Sequence, residues 1–250
     1  MLHALTRLPG PLNRAELTHI ARVAVDMAAA DAQHAAYCAA LTAAGANVRV
    51  LPALDGFPDC CFVEDTAVIL RELVIRTRPG AASRRGEVAA IAAHLPADRP
   101  HVTVSAPGSI DGGDVMVVGR DIYIGLTRRS NAAAVAQVTA AVAPHGYRVT
   151  AVPLARALHL KTAVSALADD LVLVNTDWLD PKIFGGRRHI ASAPGEPFAG
   201  NSLTVGGTVF HAAGARTLER MRAAGFDARF LDISEFAKAE AGLTCLSLVY

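Results

Sequence analysis

A carboxylate, an imidazole and a thiol recur at nearly even distances along this chain. They are Asp111 in Ile110-Asp111-Gly112-Gly113-Asp114, His159 in Leu158-His159-Leu160-Lys161, and Cys245 in Leu243-Thr244-Cys245-Leu246-Ser247. Together they are the parts of a nucleophilic site: a thiol that attacks, an imidazole that moves protons, and a carboxylate that orients the imidazole. Taken singly, each has a plainer reading. A lone cysteine behaves as a small buried hydrophobe, a histidine between leucines is a core residue, and Asp-Gly-Gly is a turn signal. A fourth segment, Pro58-Asp59-Cys60-Cys61-Phe62-Val63-Glu64-Asp65, gathers Asp59, Glu64 and Asp65 beside an apolar run. Like charges at a burial boundary are costly unless a cation lies between them, so the segment is either a solvated turn or a cation site. An organic cation such as guanidinium suits it better than a metal, because one histidine and scattered acids form no recognisable ligand set.

The elements that must carry these residues repeat. Strand-like runs at 66–70 and 73–78 are followed by a helix at 83–95 and a strand at 101–106. The same order returns with strands at 115–119 and 122–126, a helix at 131–143 and a strand at 148–154. A third pass has strands at 161–167, 171–175 and 188–191 around an irregular Pro/Gly-rich stretch, 179–200. A fourth has strands at 202–205 and 208–211, a helix at 215–224 and a strand at 228–232. A helix at 31–44 and a strand at 48–54 precede them all. Each unit is thus strand, strand, helix, strand, and each begins just after a polar loop residue: Glu64/Asp65, Asp111, His159, Asn201 and Cys245. Their spacings of 47, 48, 42 and 44 residues indicate a repeat or propeller architecture. Five units around an axis bring five loops to one mouth, where residues distant in sequence meet. No Pro/Gly/Ser-rich linker divides the chain, so one domain over 1–250 is expected.

Composition narrows the partner. Lys and Arg total 24 against 23 Asp and Glu, a net charge of +1 without a basic stripe, which argues against nucleic acid and anionic membrane. The 52% hydrophobic content is far above a disordered composition, and the mean hydropathy of +0.31 comes without a spanning run. The first residues lack the apolar stretch of a secretory signal, and Cys38, Cys60, Cys61 and Cys245 form no disulfide framework, so a cytoplasmic setting is expected.

Five motifs in this order and spacing resemble one family. Pro-Asp-x-x-Phe-Val-Glu-Asp (58–65), Arg-Pro-Gly-Ala-x-Ser-Arg-Arg (78–85), Asp-Gly-Gly-Asp (111–114), Leu-His-Leu-Lys (158–161) and Thr-Cys-x-Ser (244–247) are similar to those of dimethylarginine dimethylaminohydrolases. These belong to the pentein superfamily of guanidino-modifying enzymes, and the resemblance covers roughly residues 20–250. It implies an α/β fold, a five-bladed propeller of ββαβ units with pseudo-five-fold symmetry. Residue by residue, it makes Cys245 the nucleophile, His159 the general acid and base, and Asp111 the group that orients it. Asp59, Glu64 and Asp65 match the acids around the substrate guanidinium. Arg84 and Arg129 match the arginines that hold the amino-acid carboxylate, with Arg85 and Arg128 as adjacent alternatives. The implied reaction is hydrolysis of a methylated arginine to citrulline and an alkylamine through an S-alkylthiouronium, with no metal or organic cofactor. The expected partner is a small guanidino substrate, and a second copy of the chain is a candidate. The stretch before Glu16 does not match the family's substrate-covering lid.

Two rivals stand beside this reading. Arginine deiminases carry His-Leu-Asp where this chain has His159-Leu160-Lys161, and that aspartate binds the guanidinium end, which Lys161 cannot do. A non-catalytic binder of arginine-like ligands would have no use for an intact Cys-His-Asp set.

Overall fold

The computed structural model describes residues 1–250 and is built from five three-stranded sheets. The first combines β3 (Ala67–Ile69), β4 (Val74–Arg76) and β5 (His101–Thr103), with α2 (Arg85–Ala92) between the last two. The second has β6 (Val115–Val118), β7 (Asp121–Leu126), α3 (Ala132–Val142) and β8 (Arg148–Pro153). In the third, β9 (Val164–Ala168), β10 (Leu171–Val174) and β11 (Arg188–Ala191) enclose a 3-10 turn, Pro181–Phe184, where the others have a helix. The fourth has β12 (Ser202–Val205), β13 (Thr208–His211), α5 (Ala215–Ala223) and β14 (Asp227–Phe230). In every sheet the middle strand runs antiparallel to the first and parallel to the third. This is the five-bladed α/β propeller expected from the period and the resemblance.

The fifth blade joins the two chain ends. β15 (Leu248–Val249) pairs antiparallel with β1 (His3–Arg7), which pairs parallel with β2 (Asn47–Leu51) after α1 (Met27–Ala43). The sequence reading has no strand at 3–7. HALTR is short and shows no clean alternation, and its partner lies at the opposite end of the chain. A second difference lies at 160–163: a short helix, α4 (Leu160–Ala163), precedes β9, where one strand over 161–167 was expected. Asp114 Oδ1 accepts the Leu160 N–H at 2.9 Å, and this tertiary bond sets the local turn against strand propensity.

Middle strands such as Leu171–Val174 and Thr208–His211 are buried at every residue, because both of their faces are covered. The helices bury one stripe. In α1 this is Ala30, His34, Tyr37 and Leu41, and Asp26 caps it by accepting the Ala28 and Ala29 N–H groups. The core lies in the seams between blades. Val68, Leu73 and Ile75 of one blade pack with Val115, Ile122 and Ile124 of the next, and Leu171 and Leu173 pack with Val209, Leu218 and Met221. The first strands β3, β6, β9, β12 and β15 together line one cavity of about 250 Å³ on the axis. No helix is long and apolar enough to cross a membrane.

Leu5 sits in the seam that joins the closing blade to its neighbour, with Leu51, Val63, Val74, Ile91 and Leu248. Leu5→Ala is expected to cost about 2–5 kcal/mol of stability. Urea unfolding should show a lower midpoint at unchanged slope; an unmoved midpoint would mean that the ring does not depend on β1.

Candidate active site

Four of the five blades open with a short helical turn at the mouth: Val63–Thr66, Gly112–Asp114, Leu160–Ala163 and Leu243–Leu246. The turns bring Glu64 and Asp65, Asp111, His159 and Cys245 to the same place. Glu64, His159, Lys161 and Cys245 face a cavity of about 600 Å³, and His159 and Cys245 also face a small charged recess with Asp59, Asp65, Arg84 and Arg129. Asn201, from the remaining blade, ties the floor together. Its Nδ2 donates to the Lys161 carbonyl at 2.9 Å and to Thr244 Oγ1 at 3.0 Å.

His159 Nε2 lies 3.0 Å from Asp111 Oδ2 and 3.9 Å from Asp65 Oδ1. Asp111, wholly buried, accepts the Gly80 N–H at 2.8 Å through its other oxygen, so the carboxylate that orients the imidazole is itself fixed. Burial opposes the charge on His159, but Asp65, the Asp111 hydrogen bond and Asp114 outweigh it and raise the imidazole to about 9. Burial likewise opposes the charge on Asp65, yet His159, Arg84 and the Gly113 N–H at 2.9 Å hold its carboxyl at about 2. The resting site therefore carries an imidazolium between carboxylates. The Gly112-Gly113 pair is needed for this approach: a Cβ on Gly113 would meet His159 Nδ1 at 2.6 Å, and one on Gly112 would collide with the Glu64 carbonyl.

The thiol has the opposite character. Burial, then the charges of Glu64 and Asp65, push Cys245 well above the ordinary thiol range, although the Gly242 N–H donates to Sγ at 3.4 Å. Glu64 is not free. It accepts from Thr244 Oγ1 at 2.9 Å and pairs with Lys161 Nζ at 2.5 Å. Its neighbour Asp65 is turned toward the recess, where it pairs with Arg84 and accepts the Gly113 N–H beside His159, so the two adjacent acids have separate partners within the protein.

Arg84 and Arg129 are buried at the recess, whereas Arg85 and Arg128 are exposed. Arg84 is heavily engaged: it donates to Asp65, to Glu87 through Nε and Nη2, and to the Phe62 carbonyl at 2.9 Å. Arg129 is freer; its Nη2 donates to Thr18 Oγ1 at 3.0 Å and its Nη1 lies 3.8 Å from Asp111. Asp59 accepts the Glu16 N–H at 3.2 Å, and burial raises its carboxyl in spite of Arg84. Cys60 and Cys61 are buried in packing.

Several supporting residues escaped the sequence reading. Asp114 is wholly buried, accepts the Ser130 and Thr127 hydroxyls at 2.6 and 2.7 Å, and holds the backbone just after His159. Burial raises it to about 6 against the pull of His159 and those hydroxyls. Tyr37 on α1 reaches across to the thiol's turn, donating to the Leu243 carbonyl at 3.0 Å. The second acid of Asp-Gly-Gly-Asp was a signal for Asp114; nothing local announced Tyr37. Asp65, Asp111 and His159 are the one group of metal-ligating types whose donor atoms converge, all within 4.8 Å. Those donors already serve Arg84, Gly113, Gly80 and one another, so the trio is wired as a hydrogen-bonded ion cluster.

The sign of the pH dependence follows from His159. A folded value of about 9 against 6.5 unfolded contributes roughly 3 kcal/mol, fully present below pH 6.5 and lost as pH rises through 9. Denaturant titrations at pH 6.5 and 9.5 should show that loss, and Asp65→Asn should shrink it because the principal anionic partner is gone. An identical loss in both proteins would remove Asp65 from the account.

Comparison with known proteins agrees with this geometry. The sequence model of the family described as "N,N dimethylarginine dimethylhydrolase, eukaryotic" matches residues 19–193. The N(G),N(G)-dimethylarginine dimethylaminohydrolase of Streptomyces coelicolor is 40% identical over 249 residues, 98% of this chain and 95% of that protein. The Pseudomonas aeruginosa protein of the same name is 35% identical over 226 residues, 89% of each. A solved structure of DDAH from Pseudomonas aeruginosa, a Cys-to-Ser mutant complexed with citrulline, superposes with a TM-score of 0.93 at 32% identity, covering 99% of this chain and 98% of that one.

Proposed function

The chain belongs to the dimethylarginine dimethylaminohydrolase family and is an amidine hydrolase of that type, and we propose that its substrate is an Nω-methylated L-arginine, cleaved to L-citrulline and an alkylamine. The observation that carries the substrate assignment is the pairing of Glu64 with Lys161. A deiminase acting on plain arginine benefits from a carboxylate on each side of the guanidinium, since every nitrogen there offers N–H donors. Here Asp65 supplies one side, while Glu64 is tied to Lys161 and Thr244. A methylated nitrogen has lost donors, so no unpaired buried carboxylate is left beside it, an arrangement that would cost roughly 1–3 kcal/mol.

In this reading the amino-acid end lies in the charged recess, its carboxylate at Arg129 with Arg84 behind, and its ammonium at Asp59. The guanidinium enters against Asp65, next to a thiol that burial and neighbouring acids keep protonated. A cation placed beside Sγ favours the thiolate, so the ligand's own charge releases the thiol proton to water, from which the thiolate regains one at the end of the cycle. The thiolate forms a C–S bond to the guanidinium carbon, which is held within reach as in an intramolecular reaction. Imidazolium His159, oriented by Asp111, gives its proton to the departing amine as the C–N bond breaks. The neutral imidazole then takes a proton from water, whose oxygen adds to the same carbon; the C–S bond breaks, the ureido product leaves and the thiol is restored. A single domain over 1–250 and a small-molecule guanidino partner complete the proposal.

Two measurements test it. Across L-arginine, monomethyl-L-arginine and asymmetric dimethyl-L-arginine, kcat/KM should favour a methylated substrate by at least about tenfold, the factor that 1.4 kcal/mol provides. If L-arginine is the best of the three, the deiminase reading replaces this one. Cys245→Ser should lose at least about three orders of magnitude in turnover while calorimetry still detects binding. Near-normal turnover in that variant would sink the covalent mechanism.

A further inference from the structure

Glu240, which follows α6 (Ser234–Ala237), is the one non-glycine residue with positive φ, at 60°. Side chains with a Cβ seldom adopt that backbone, and such residues persist where the surroundings demand them. Glu240 stands on the wall of both the large cavity and the charged recess. Its carboxylate accepts two consecutive backbone N–H groups, from Thr18 through Oε2 at 2.5 Å and from His19 through Oε1 at 2.6 Å. The same segment has three more ties: the Ser83 hydroxyl donates to Glu16 Oε2 at 2.6 Å, the Glu16 N–H donates to Asp59, and Arg129 Nη2 donates to Thr18 Oγ1. Residues 16–19 therefore lie across the recess as a strap, and of its three charged anchors, Asp59, Arg129 and Glu240, only Glu240 has no charge partner in the proposed chemistry.

We propose that Glu240 is a positioning residue whose carboxylate latches this strap over the recess, so that strap and recess together enclose the amino-acid end of the substrate. The inference rests on reading the recess as the amino-acid subsite. The other two charged anchors are groups the substrate itself needs: its ammonium competes with the Glu16 N–H for Asp59, and its carboxylate competes with the Thr18 hydroxyl for Arg129. When those contacts are exchanged, the Ser83 bond still holds the Glu16 side chain, and the Glu240 bonds are the ones that still hold the backbone at Thr18 and His19. The left-handed backbone at 240 turns the carboxylate toward two adjacent N–H groups at once. The latch acts on enclosure and leaves Cys245, His159 and Asp111 untouched.

Glu240→Gly is the informative change, because glycine accepts a φ of 60° without strain while the carboxylate disappears. With monomethyl-L-arginine, KM should rise at least tenfold and kcat should stay within threefold. Amide exchange in the free protein should quicken at 17–19 and stay unchanged in β4, β7 and β10, with no fall in thermal midpoint. Glu240→Asn, which also tolerates this backbone and keeps a shorter acceptor, should fall between the two proteins. Unchanged KM and unchanged exchange overturn the latch. So does a loss of kcat at constant KM, which would make Glu240 a support of the Cys245 turn, or faster exchange throughout with a lower midpoint, which would make it a structural residue. If the wild-type protein turns over no methylarginine, the substrate assignment fails, and exchange at 17–19 still decides for or against the latch.

Discussion

The pairing of Ala4 and Leu5 with Val249 and Leu248 closes the ring, and the site depends on it more than on any other single contact. Each blade is a wedge whose apolar seams are covered only by its neighbours, so the five are stable together rather than one by one. The thiol is donated by the last turn of the chain, while Asp65, Asp111 and His159 come from the next three blades around. Without the bond from β15 to β1, that turn would keep only its chain connection to the fourth blade and side-chain bonds such as those of Thr244 to Glu64 and Asn201. Tyr37 adds a second tie from within the closing blade. The element that joins the ends also fixes the nucleophile against its partners.

Closure creates an electrostatic problem at the axis. Asp59, Glu64, Asp65, Glu87, Asp111 and Asp114 converge where Arg84, Arg129, Lys161 and protonated His159 are the cations, and the acids remain in excess. Burial then raises the carboxyls of Asp59, Glu87 and Asp114, each of them short of positive charge, even though Arg84 or His159 pulls the other way. Burial first, and then the charges of Glu64 and Asp65, raise the Cys245 thiol. A buried cluster with surplus negative charge is stabilised by a cation that reaches it, and a planar guanidinium meets several carboxylates in one step. The affinity for a cation and the reluctance of the thiol to ionise have one origin.

Much of this was legible in the sequence because propeller loops recur at fixed intervals. A spacing of 42 to 48 residues between Glu64, Asp111, His159, Asn201 and Cys245 sufficed to place all five at one mouth, and each stands there. Two kinds of feature were not legible. Elements set by distant partners left no local pattern: β1 has its mate at the other terminus, and α4 is shaped by a bond from Leu160 to Asp114. The division of labour among charges was hidden as well. Asp59, Glu64 and Asp65 look alike in sequence, yet one accepts a strap N–H, one is neutralised by Lys161, and one faces His159. Only three-dimensional pairing separates them.

Lys161 shows why that pairing decides chemistry. Read from the sequence, it is an absence: the aspartate a deiminase uses is missing. In the structure it is a presence, because an ammonium 2.5 Å from Glu64 does more than fail to bind a guanidinium. It neutralises a second carboxylate at the mouth, whose other oxygen accepts the Thr244 hydroxyl beside Cys245. One substitution thus changes two positions at once, leaving Glu64 paired with Lys161 while Asp65 pairs with Arg84 and faces His159.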